Sequence, residues 1–161
     1  MSELPEYVYE RIFNAPLSKV WKLWTDPELL SRWYGPGIET VIHRFDLKPG
    51  GEWRNEMSWG DKKDLSKMTF QEVVHEAKIV WHHSSVDSDW NVISNPMMPD
   101  WPKVLLTTVT FEDAAGKTKV ILKQVPIDAE QNEIDCFTNM MSGMDNGWGA
   151  GFNIIEEMIA E

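Results

Sequence analysis

The chain has 161 residues, 42% of them hydrophobic, and a formal net charge of −11 at pH 7. That length suits one domain with a substantial core, read here over residues 1–161, and the excess of acid argues against nucleic acid or anionic membrane as a partner. No run of about 18 apolar residues occurs, the start Met1-Ser-Glu-Leu-Pro-Glu6 is neither basic nor apolar, and the lone Cys136 permits no internal disulfide, so a cytoplasmic location is expected.

Tyr7 to Phe13 reads as a first strand. Pro16 then suits a first helical turn, and Leu17, Val20, Leu23 and Trp24 recur at helical spacing. Asp26-Pro27 restarts the pattern: the carboxylate can cap a second short helix, Pro27 fits its first position, and Leu29, Leu30 and Trp33 make its apolar stripe before Gly35-Pro36 ends it. Two short helices are thus expected between the first and second strands.

Val41 to Trp59 reads as a hairpin turning at Lys48-Pro49-Gly50-Gly51. With that turn, residues whose numbers sum to a constant face each other, pairing Phe45 with Trp53, His43 with Asn55 and Val41 with Met57 on one inward face. Met68 to Val74 and Lys78 to Ser85 form a second pair, and Lys103 to Glu112 with Lys117 to Val125 a last hairpin around Asp113-Ala-Ala-Gly116. Connections this short require an antiparallel sheet. Val86 to Pro102, with three prolines, two tryptophans and two methionines, is irregular and is expected either to form a lid or rim or to cover a sheet edge.

A C-terminal helix is marked by Ile134, Phe137 and Met141 and, beyond Ser142-Gly143, by Met144, Trp148, Phe152, Ile155 and Ile159. Gly143, Gly147, Gly149 and Gly151 weaken its middle, which points to a close approach or a bend. From Gln124 onward there is no Lys or Arg against eight acidic residues, so this helix carries an acidic solvent face or a docking face for a basic partner.

No Walker loop, HExxH, CxxC or GxSxG motif occurs, so no metal and no cofactor is expected. His82 and His83 are adjacent in a strand and point to opposite faces, which disfavours a shared metal. Cys136 lies in an apolar stretch with no basic neighbour and is a poor nucleophile candidate.

The chain resembles a known family in Phe13-Asn-Ala-Pro16, Val20-Trp21, Thr25-Asp26-Pro27, Arg32-Trp33, Asp46-Leu-Lys-Pro-Gly-Gly51, Thr108-Val-Thr-Phe-Glu112, Gly116-Lys-Thr118 and Gly147-Trp148. These runs, in order over nearly the whole length, are similar to the activator-of-heat-shock-chaperone-ATPase-like family. It lies within the START-related superfamily of polyketide cyclases and the birch allergen. The resemblance implies an α+β helix-grip fold: a curved antiparallel sheet of six to seven strands around a long C-terminal helix, with an apolar cavity between them. It also implies a hydrophobic small molecule as partner. The co-chaperone of the family carries a separate N-terminal domain, whereas this chain is expected to hold a single domain.

The residues expected to line such a cavity are Trp33, His43, Phe45, Trp53, Asn55, Met57, Trp81, Val109, Met141, Met144, Trp148 and Phe152, where broad aromatic faces and adaptable methionines suit an apolar guest. The same side chains could instead fill the core. Two alternatives stand beside ligand binding. One is a cyclase- or hydrolase-like enzyme using His43, Asn55, Glu72 and Arg11, the last two as a pair. The other is a protein-interaction module contacting a chaperone or a second copy of the chain.

Overall fold

In the computed structural model, which describes residues 4–161, the elements run β1 (Tyr7–Phe13), α1 (Leu17–Thr25), α2 (Pro27–Trp33), β2 (Glu39–Phe45), β3 (Glu52–Trp59), β4 (Lys62–Val74), β5 (Lys78–Ser85), β6 (Leu105–Ala114), β7 (Lys117–Pro126) and α3 (Gln131–Ile159). The leaderless start expected from Met1-Ser-Glu3 lies outside the described residues. All seven strands form one antiparallel sheet in the order β1-β7-β6-β5-β4-β3-β2. β1 and β2 are its two edges, so α1 and α2 cross the inner face to connect them. Asp26 caps α2 by accepting from the Glu28 amide at 3.0 Å, and Pro27 opens that helix.

α3 is one uninterrupted helix of 29 residues, about 43 Å long, and the close approach its glycines suggested occurs at Gly151, where an added Cβ would lie 3.3 Å from Trp33. Its start is fixed by a capping box. Glu130 receives the Glu133 backbone, and the Glu133 carboxylate accepts from the Glu130 amide at 2.9 Å. The helix lies along the inner face, where Tyr7 Oη donates to Asp145 at 2.8 Å and an Arg11 nitrogen donates to Asn153 at 2.8 Å. Phe152, wholly buried, meets Tyr9, Phe13, Trp24 and Trp33 with ring centroids 5.1 to 6.3 Å apart. This aromatic cluster closes one end of the grip, and no helix among the described residues is long and apolar enough to cross a membrane.

The ladder sets rows of inward side chains across the sheet. One row runs Trp53, Met68, His83, Leu105 and Pro126; the next runs Phe70, Trp81, Thr107, Gln124 and Tyr7. Phe45 pairs with Trp53 as expected, but the register then shifts by one, with Ile42 opposite Asn55 and Arg44 opposite Arg54. The expected His43–Asn55 pair therefore does not form. His43 is the extra residue of a β-bulge and is carried to the outer face, where Nε2 lies 3.1 Å from a Glu56 carboxylate oxygen and the ring packs against Trp90. The bulge buries Ile42 in place of an imidazole, which gains apolar burial and avoids desolvating a polar ring.

Two further expectations change. β4 begins at Lys62 rather than Met68, because a two-residue turn at Gly60-Asp61 returns the chain into a strand whose first inward positions, Asp64 and Ser66, are polar. Arg11 and Glu72 do not pair. Arg11 bonds Tyr9 Oη at 2.6 Å and lies 3.4 Å from Glu156, whereas Glu72 is exposed and held by Lys78 at 2.8 Å. Of the irregular segment, residues 86–92 form a turn gathered on the Asp87 carboxylate, which sets Trp90 against Arg54 and His43 on the outer face. Its far end brings Trp101 to the inner side, against Phe137 at 5.5 Å.

Candidate ligand cavity

On α3, positions 143, 147 and 151 fall four apart and share a face, with Met144 and Trp148 beside them. All three positions are glycine. A Cβ at Gly143 or Gly147 would meet nothing within 4 Å, while one at Gly151 would touch the Trp33 ring at 3.3 Å. The three glycines border a cavity of about 330 Å³ between helix and sheet, with Gly143 and Gly147 at its exposed side and Gly151 buried against Trp33. That volume sits at the lower end of the range of about 300–1,000 Å³ for small-molecule sites. Each helical glycine costs up to about 1 kcal/mol relative to alanine, so this space is kept at some expense in stability.

The opposite walls come from three places. Trp33, Tyr34, Gly35 and Pro36 bring the end of α2 to the mouth, and Trp101 closes one side. Met57, His83, Leu105 and Gln124 supply the sheet floor. Most of this lining is apolar, and its polar members are neutral. His83 is half-buried on the cavity floor, and burial pulls its pKa down to about 4, so at neutral pH the imidazole is uncharged. Burial, and then the Asp64 carboxylate, push the Tyr34 hydroxyl well above its ordinary value, so it stays protonated. Asp64, opposite Met57 in the ladder, is itself raised by burial. Gln124, 3% exposed, donates to Thr107 Oγ1 at 3.2 Å. Among the described residues no three His, Cys, Asp or Glu side chains gather as a metal site.

Four of the residues proposed from the sequence, Trp33, Met57, Met144 and Trp148, border the cavity. Trp53, Trp81, Val109 and Phe152 are fully buried core, with Phe45 and Met141 packed against that core. Asn55 is sealed next to Met57 on β3, its Oδ1 accepting from Trp53 Nε1 at 3.2 Å. His43 is on the opposite face of the sheet and, like Glu72, is remote from the cavity. The Cys136 thiol is pushed up by burial and by Asp100, which keeps it protonated.

The sequence raises His83 only as half of a disfavoured metal pair with His82 and gives no signal for Gln124, although alternation from Trp81 and from Leu122 carries each to the inner face. Tyr34 and Trp101 lie outside regular elements, and periodicity gives no signal for them.

A family model described as "Activator of Hsp90 ATPase homolog 1-like protein" matches residues 14–160. No curated protein sequence matches the chain. Among solved structures, a Mycobacterium smegmatis protein superposes with a TM-score of 0.79 at 20% identity, covering 98% of this chain and 95% of its own. An Arthrobacter aurescens protein gives 0.78 at 20% identity over 94% and 83%. A Nitrosomonas europaea protein gives 0.73 at 23% identity over 99% and 96%. At such identities these neighbours share the fold, and their likeness extends no further.

Proposed function

We propose that this chain, which belongs to the Activator of Hsp90 ATPase homolog 1-like family, binds a hydrophobic small molecule in the cavity between α3 and the sheet. The observation that carries the reading is the glycine face of α3. Residues 143 and 147 leave open space where ordinary helix formers would project side chains, and that space is faced by Trp33, Trp148, Met57 and Met144. A chain that only needed a packed core would gain stability from alanine or leucine there. Two open glycine positions facing an apolar wall fit a guest that completes the packing.

The test uses N-phenyl-1-naphthylamine, a neutral fluorophore that brightens in apolar surroundings. The native chain is expected to bind it at one site. Gly147→Phe, which fills the cavity from the helix side without a backbone clash, is expected to lose that binding while keeping the native circular dichroism spectrum. Equal fluorescence gain in both proteins would refute the assignment.

A further inference from the structure

The polar groups around the cavity form a pattern of their own. No Lys or Arg is among its lining residues. The nearby charges on the inner face are acids or are already neutralised: Asp64 stands opposite Met57, Asp145 is held by Tyr7 Oη, and Arg11 is occupied by Tyr9, Asn153 and Glu156. An anionic head group entering here would lose its hydration and find no cation to replace it.

Hydrogen-bond donors, by contrast, are left over. The Tyr34 hydroxyl and the His83 imidazole border the cavity, and neither meets a hydrogen-bond partner among the described residues. Behind the wall, Asn55 Nδ2 and Trp81 Nε1 are fully buried and unpartnered. Each lies two residues along its strand from a lining side chain, Met57 and His83 respectively, on the same face. The only other buried side-chain donor without a partner among the described residues, Trp24 Nε1, belongs to α1. Asn55 and Trp81 are sealed from the cavity, so the donors a guest can reach are those of Tyr34 and His83; a guest that displaces water from them without offering an acceptor leaves them unpaired, which is costly.

We infer that the guest is an uncharged, flat molecule with a hydrogen-bond acceptor at its inner end, in the class of one- or two-ring aromatic ketones, and that the cavity rejects carboxylates of the same shape. This rests on the cavity being a ligand site. Trp33, Tyr34 and Trp148 supply faces and edges for the rings, while the acceptor is drawn toward the Tyr34 and His83 side of the cavity.

Displacement of N-phenyl-1-naphthylamine at pH 7.5 by three molecules of one shape separates the possibilities. The molecules are 2-acetylnaphthalene, 2-ethylnaphthalene and 2-naphthoate. The ketone is expected to displace the fluorophore at a concentration at least tenfold below the carboxylate and at least threefold below the hydrocarbon. Tyr34→Phe combined with His83→Leu is expected to erase the advantage over the hydrocarbon. Met144→Lys, which puts a cation at the helix wall, is expected to improve 2-naphthoate at least tenfold. Parity of ketone and carboxylate in the native chain, or parity of ketone and hydrocarbon, would overturn the inference and leave the binding site standing. Failure of the fluorophore to bind the native chain better than Gly147→Phe would remove the site itself, and this inference with it.

Discussion

Acidification from pH 7 to pH 5 is expected to destabilise the protein through His83. Burial lowers this imidazole from 6.5 to about 4. The unfolded chain therefore takes up about 0.7 of a proton at this residue over that interval while the folded chain takes up only about 0.1. Stability falls wherever the unfolded state binds more protons. Integrating the difference gives a loss of about 2 kcal/mol between pH 7 and pH 5, saturating near 3 kcal/mol below pH 4, where the folded chain also protonates. Asp64 acts with the opposite sign. Its raised carboxyl pKa makes the folded state the better proton acceptor there, so its protonation returns some stability as pH falls. Comparison with His83→Gln separates the two, because Asp64 contributes to both proteins. Urea melts at pH 7.0 and 5.0 should show the native chain losing about 2 kcal/mol more than the variant. Equal losses, within about 0.5 kcal/mol, would show that burial does not hold the His83 imidazole neutral as described.

Phe152→Ala should cost about 3–5 kcal/mol in denaturant melts, because it empties the centre of the aromatic cluster, and Trp148→Ala should cost less than half as much because the cavity already borders that ring. Gly51→Ala should lose about 1–3 kcal/mol, since its Cβ would collide with the Asp46 carbonyl oxygen, a backbone atom that cannot move without shifting the turn. Gly147→Ala should instead gain about 0.5–1 kcal/mol by thermal or chemical melting, as the added methyl enters open space and the helix is strengthened.

Much of the fold was legible because its signals are local. Asp26-Pro27 caps and opens α2, Trp53, Asn55 and Met57 alternate inward along β3, and Phe137, Phe152 and Ile155 hold a helical stripe along α3. The errors have physical causes. Val41, His43 and Phe45 alternate as well as Thr40, Ile42 and Phe45 do once a residue is skipped, and only burial against the rest of the sheet decides for the bulge. β4 was read short because Asp64 and Ser66 face inward near the cavity, so the polarity that belongs to the candidate site imitates a loop. The continuity of α3 through its glycines comes from tertiary packing and from the capping box, which outweigh propensity. Of the site itself, the helix wall was readable and most of the opposite wall was not. His83, Leu105, Gln124 and Trp101 converge only when five strands and a loop have been placed.

The central claim is that a hydrophobic guest sits against the glycine face of α3. Amide and indole chemical shifts of the isotope-labelled protein, followed while N-phenyl-1-naphthylamine is added, test it most directly. Shifts are expected at residues 143–151, at Trp33 to Gly35, at His83 and Gln124, and in the Trp148 indole, with the Trp90 indole on the outer face unmoved. Shifts centred on Trp90, Arg54 and His43 instead, or spread evenly over both faces of the sheet, would contradict it.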